Sequence, residues 1–213
     1  MGVLSQVWLE WLELPVRDKT YRDVLDALSK AIVEAGNRVD AALSRGDEGL
    51  AEAVVDEECN FIESLLGAAF IVCQTQIAAV TSRALGLREY ALDSQARFTA
   101  FELSKKSVRN LGEAFSASEH ISKVEMLWEL ANYFKHREEW KGYEWSALGK
   151  QSERTVEVIK TAGLTAGCTG NLRRGAAALG NETYSALWVF ADAIDGWSEI
   201  VLEKCTTELS DKV

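Results

Sequence analysis

Pro15 is the only proline in a chain of 213 residues that holds 15 glycines. All-β domains need both residue types at many turns, so this scarcity argues against that class and for long, uninterrupted helices. Histidine is nearly as rare. His120 and His136 are the only two, too few for a multi-histidine metal site within one chain. The cysteines Cys59, Cys73, Cys168 and Cys205 form no CxxC pair. Cys59 and Cys73 fall on one expected helix, about 21 Å apart at the helical rise, beyond disulfide reach. HExxH and GxSxG motifs are absent. Gly149-Lys150-Gln151-Ser152 is not a phosphate loop, because Glu144 stands where the earlier glycine is required. Neither a cofactor nor a metal is expected.

The opening Met1-Gly2-Val3-Leu4-Ser5-Gln6 lacks the basic region of a secretory signal and has its serine one place early for myristoylation. Scattered cysteines then point to the reducing cytoplasm. The longest unbroken apolar run, Leu65 to Cys73, falls short of the roughly 20 residues that span a bilayer, so no membrane is expected.

Positive charge is also in deficit: 23 Lys and Arg face 33 Asp and Glu, a formal charge of −10. Duplex binding needs a basic face that displaces counterions, so DNA is not an expected partner. Acidic surface keeps proteins soluble and suits basic protein partners. Hydrophobic residues make up 47%, enough for a substantial core. With no repeat, low-complexity tract or convincing domain boundary, residues 1–213 are expected to form a single helical domain.

Helical spacing of Val3, Val7, Trp8, Trp11 and Leu14 predicts a first helix ending at Pro15. Asp18 is a good N-cap for a second, whose apolar stripe is Tyr21, Val24, Leu25, Leu28 and Ile32 and whose stop is Gly36. A short amphipathic piece, Val39 to Leu43, follows. Residues 48–85 are expected to form the central helix, acidic at its start and apolar nearly all round from Phe61 to Val80. The stretch 88–117 is less regular; Tyr90, Phe98, Phe101 and Leu103 imply helical packing, and Lys105, Lys106 and Arg109 form the densest basic cluster. Ser118-Glu119 opens a predicted helix to Trp140. Ser152 to Ala162 reads as a short helix, with a strand as the alternative, and helices over 171–179 and 182–208 complete an all-α, single-domain multi-helix bundle.

Chemistry concentrates in the segment from Glu125 to Trp140. On a helix, Val124, Leu127, Ala131 and Phe134 face the core, while Glu125, Glu129, Asn132, His136 and Glu139 share a neighbouring polar face bordered by Lys135 and Trp128. Asn132 and His136 are spaced i, i+4, so their side chains can touch. Such a set can position a hydroxyl or phosphate, with His136 moving a proton near neutral pH. The plainer reading is that His136 and Arg137 favour the helix dipole and that Lys135 and Glu139 form a surface pair. His120 is expected to pack on the apolar side of the same helix. Asn60, Glu63, Gly67 and Gln74 lie on one stripe of the central helix; their expected role is polar satisfaction within the core, and the alternative is a meeting with the Asn132/His136 face as a buried network or a pocket wall. Arg173 and Arg174 flank a Gly-rich turn at a helix start, where an anion can dock; exposed surface arginines are the simpler expectation. Trp140 and Trp145 are candidates for an exposed contact surface.

Ala131-Asn132-Tyr133-Phe134-Lys135-His136 resembles the RNxxxH signature of the HEPN superfamily of compact helical proteins. The resemblance covers six residues and implies a motif on a late helix at a dimer interface, supporting metal-independent RNA cleavage. Asn132 and His136 match, whereas Ala131 replaces the arginine. Without that cation the developing phosphorane charge loses stabilisation often worth ~3–4 kcal/mol. The expected function is therefore a cytoplasmic helical interaction or regulatory protein, of the kind found in bacterial toxin–antitoxin, immunity or phage-defence systems. Its expected partner is a basic protein or a second copy, with Glu129, Glu139, Trp140, Arg173 and Arg174 as binding candidates. The alternative is a divergent HEPN-like ribonuclease with Asn132, Lys135 and His136 as catalytic candidates and RNA held by Arg173 and Lys105/Lys106.

Overall fold

Phe70, near the middle of the longest helix, is fully buried and stacks on Phe190, with ring centroids 5.3 Å apart. The computed structural model that places them describes residues 3–45, 48–93, 104–140, 145 and 148–210. In chain order the elements are α1 (Val3–Arg17), α2 (Thr20–Leu43), α3 (Glu48–Asp93), α4 (Lys105–Arg109), β1 (Ala114–Phe115), β2 (Ser118–Ser122), α5 (Lys123–His136), α6 (Lys150–Thr161), α7 (Asn171–Ala178) and α8 (Trp188–Ser210). The protein is an all-α bundle with, among the described residues, one small antiparallel hairpin, β1–β2.

α3 is its axis. Leu66, Ala69, Phe70, Cys73, Ile77, Val80 and Ala84 are fully buried, and α1, α2, α4, α5, α7 and α8 all pack on this helix. Apolarity on every side suits a helix surrounded by others, since each face loses water. By length and composition its span Ala51–Leu87 is apolar enough to cross a membrane, and half of its most apolar window is buried within the bundle. One continuous hydrophobic cluster joins all the longer helices, with Trp197 of α8 donating its indole N–H to the Val108 carbonyl at 2.8 Å.

α3 extends to Asp93, α5 stops at His136 and α8 begins at Trp188, each several residues from the expected bound, and three further boundaries differ for a physical reason. α1 runs through Pro15 to Arg17. A proline inside a helix strands the carbonyl four residues earlier; here the Trp11 carbonyl accepts instead from Arg83 Nη1 at 2.6 Å. α2 starts beside Asp18, whose carboxylate accepts from the Thr20 N–H at 2.9 Å, but it continues through Gly36 and absorbs the piece at Val39 to Leu43. A Cβ added at Gly36 would meet nothing within 4 Å, so a modest propensity cost is all that opposes the helix there. Residues 118–122 form β2 rather than the first turns of α5. Ser122 is the true N-cap and accepts from the Glu125 N–H at 2.9 Å. His120 thus sits exposed on a strand rather than packed on an apolar helix face.

The alternation at Thr155 to Val158 lies on helix α6, and the basic cluster divides: Lys105 and Lys106 are exposed while Arg109 is buried. Phe98, Phe101 and Leu103, and the side chain of Tyr90, lie outside the described residues.

Candidate functional site

Helix α5 is anchored at its start, because the Ser122 hydroxyl that caps it also donates to the Arg109 carbonyl at 2.7 Å. That bond brings α4 against α5 and sets Arg109 beside Glu125. The Glu125 carboxylate, only 1% exposed, accepts from Arg109 Nε on one oxygen and from Arg154 Nη2 of α6 on the other. The Arg109 guanidinium also lies over the Trp128 ring, 4.4 Å from its centroid. Two cations around one buried carboxylate offset the cost of removing it from water.

One turn on, Glu129 accepts from Asn132 Nδ2 at 2.9 Å and from Thr155 Oγ1 of α6 at 2.6 Å. The Asn132 carbonyl oxygen accepts from Gln74 Nε2 of α3 at 2.9 Å, and Gln74 Oε1 accepts from Lys135 Nζ at 2.8 Å. Thr155, Glu129, Asn132, Gln74 and Lys135 therefore form one hydrogen-bonded series that ties α6, α5 and α3 together.

His136 is outside that series. Its side chain is 46% exposed and its Nδ1 lies 3.2 Å from Glu139 Oε2. Asn132, in contrast, is 9% exposed and faces inward. The i, i+4 spacing that lets the two touch is not used for a hydrogen bond between them; each takes its own partners. The expected Lys135/Glu139 surface pair is likewise replaced, Lys135 binding Gln74 and Glu139 binding His136. Of the expected polar face, Glu125, Glu129 and Asn132 are buried and only the end near His136 and Glu139 meets solvent.

The stripe on α3 divides between two neighbours. Gln74 meets Asn132, as described. Gly67 receives the Phe134 ring so closely that an added Cβ would lie 2.2 Å from it. Glu63 turns to α7, where its carboxylate accepts from the backbone N–H groups of Leu172 at 3.1 Å and Arg173 at 3.0 Å and from Arg173 Nε at 3.2 Å. Helix N-termini attract anions, and here the protein's own carboxylate occupies that position. Arg173 is thereby partnered, whereas Arg174 is exposed and reaches Thr165 Oγ1 at 3.3 Å.

A cavity of about 700 Å³ opens between α3, the end of α5 and the turn ahead of α7, lined in part by Asn60, Glu63, Tyr133, Arg137, Trp140 and Trp145. Trp140 is only 9% exposed and belongs to the core rather than to an outer contact surface. It forms an aromatic cluster with Tyr133 and Trp145, at centroid separations of 5.8 Å from Tyr133 and 6.5 Å from Trp145. Asn132 and His136 do not line this cavity. Sequence reasoning missed the Glu125–Arg109–Arg154 cluster and the roles of Thr155 and Asn171. Their only signal was charge or polarity at inward helix positions, and their partners are remote in sequence. No protein-family model, curated protein or solved structure matches the chain.

Proposed function

We propose that the protein is a helical interaction or regulatory protein of the cytoplasm that takes a basic protein partner, within a bacterial toxin–antitoxin, immunity or phage-defence system. One observation carries this reading: of the α5 groups that resemble a catalytic set, Asn132 and Lys135 are held by a buried side chain of α3. Asn132 and Lys135 both bind Gln74, and Glu129 binds Asn132 and Thr155. A group held in this way positions helices rather than a substrate.

The solvent side is different. Glu52, Asp56 and Glu57 on α3 are exposed, as are Glu138 and Glu139 just past α5. Together with the net charge of −10 they favour encounter with a basic surface, an attraction that salt screens. The test is titration with labelled Lys/Arg-rich peptides and Glu-substituted controls in low and high salt. Basic peptides are expected to bind, to lose affinity as salt rises, and to bind more weakly to a Glu138→Lys/Glu139→Lys variant. Absence of binding, or binding indifferent to salt, would overturn the reading.

The second reading is the HEPN-like ribonuclease. What favours it is the half-exposed His136 with Glu139 at 3.2 Å, a pair that can exchange a proton with an outside substrate. The Ala131 position weakens it by removing the expected cation.

A further inference from the structure

We propose that the cavity between α3, the end of α5 and the turn ahead of α7 is a binding site for a neutral, polyhydroxylated ring ligand of one or two sugar units. This proposal is independent of the acidic-surface reading.

Size comes first. Small-molecule sites run to about 300–1,000 Å³, and the cavity's roughly 700 Å³ holds one or two rings. Its walls are fixed before any ligand arrives. The Tyr133 hydroxyl accepts from Asn171 Nδ2 at 3.0 Å, and Asn171 also binds the Thr165 backbone through its donor at 2.8 Å and its acceptor at 3.2 Å. Gly167 and Gly170, at φ of 70° and 77°, turn the chain across the opening in a conformation that L side chains rarely adopt.

Charge then narrows the class. Among the described residues the charged side chains that line the cavity are Glu63, Arg137 and Glu138, and with Arg173 beside Glu63 their charges balance. Glu63 binds Arg173 and two N–H groups of α7. Arg137 lies 3.6 Å from Glu138 and its guanidinium covers the Phe134 ring at 4.8 Å. An ion entering here would give up its hydration without meeting an excess of opposite charge among these groups. A neutral ligand does not meet that cost.

Hydrogen-bonding capacity is nevertheless left over on both sides. A guanidinium has five N–H donors and a carboxylate about four acceptor positions, and each pairing uses only part of them. The Asn60 side-chain amide and the Thr169 hydroxyl have no hydrogen-bond partner among the described residues, and the Ser64 hydroxyl, which donates to the Asn60 carbonyl at 3.0 Å, can still accept. Donors and acceptors side by side suit hydroxyl groups, which do both. Cys168 and aromatic rings complete the wall, with Trp145 half-buried and 6.0 Å from Tyr133. The C–H face of a sugar ring packs on such a surface by dispersion.

The test uses the full-length protein with maltose, cellobiose, lactose and N,N′-diacetylchitobiose as neutral probes, and glucuronate, glucosamine and adenosine as comparisons. Binding is read by calorimetry and tryptophan fluorescence. At least one neutral disaccharide is expected to bind with millimolar or tighter affinity, and more tightly than all three comparisons. Asn60→Ala and Trp145→Ala are each expected to weaken it roughly five-fold, the loss of one net hydrogen bond or contact. Asn60 is exposed, so its variant keeps the test valid if Trp145→Ala fails to fold. No binding by any neutral probe, tighter binding of a comparison compound, or binding unchanged in both variants would overturn the proposal.

Discussion

Gln74 of α3 and Asn132 of α5 join side chain to side chain at 2.9 Å across 58 positions of sequence. The bond links the axis of the bundle to a helix that buries two carboxylates, Glu125 and Glu129, beside Asn132. Asn132 also donates to Glu129, so it both receives from and gives to groups that are themselves buried.

Removing either partner therefore leaves a buried polar group unmatched. Asn132→Ala and Gln74→Ala are each expected to cost about 2 kcal/mol. The double variant should lose less than the sum, by about 1 kcal/mol, because the second truncation removes the orphan left by the first. Urea denaturation of the four proteins measures this, and strictly additive losses would mean the two residues do not interact.

Two glycines offer a sharper contrast. At Gly67 an added Cβ would overlap the Phe134 ring at 2.2 Å, whereas at Gly36 it meets nothing within 4 Å. Gly67→Ala is expected to destabilise by about 1–3 kcal/mol through overpacking. Gly36→Ala lies inside α2 and should stabilise by about 0.5–1 kcal/mol. Thermal unfolding distinguishes the two signs.

Acid should loosen the junction of α2 and α8. Asp195 accepts from Lys19 Nζ and Tyr21 Oη, each at 2.6 Å, and from Arg22 Nε at 2.8 Å. Burial works against its charge, but these hydrogen bonds outweigh that effect and hold the carboxyl below its ordinary range. A carboxylate with a depressed folded pKa contributes stability that is complete above the unfolded value of about 3.9 and disappears as pH falls through the folded value. Asp195→Asn should reduce stability near neutral pH and flatten its loss in acid. An unchanged acid limb would show that other carboxylates control it.

The cysteines should react in a set order. Cys168 is exposed, and hydrogen bonds from Thr165 and Arg174 lower its pKa, raising the thiolate fraction at neutral pH. Burial raises the pKa of Cys73, and that of Cys205 to about 12. A disulfide reagent is expected to modify Cys168 first and to leave Cys73 and Cys205 untouched until the chain unfolds. Early labelling of Cys73 would contradict its place in the core.

Much of this was legible before any coordinates. The all-round apolarity from Phe61 to Val80 predicted a buried axis, and the alternative role for the polar stripe of Asn60, Glu63, Gly67 and Gln74, an encounter with the Asn132 face, is the one Gln74 takes. Periodicity tells which side of a helix is buried, but it does not tell which neighbour meets each turn. Glu63 thus went to α7, 110 positions away, and filled the anion position that the Gly-rich turn before Arg173 had announced. The end of α1 was misplaced because the Trp11 carbonyl released by Pro15 is satisfied by Arg83, a partner 72 positions distant. The start of α5 was misplaced because Ser118 and Ser122 are both plausible caps. Strand pairing and the bond from Ser122 to Arg109 decide between them.

RNA cleavage by the purified full-length protein, compared with His136→Ala and Asn132→Ala, is the most direct measurement. If α5 is an inward strut, the unaltered protein cleaves no RNA, His136→Ala keeps its stability within about 0.5 kcal/mol as other surface changes do, and Asn132→Ala is clearly less stable. Cleavage that disappears in a fully folded His136→Ala variant would contradict the non-catalytic assignment.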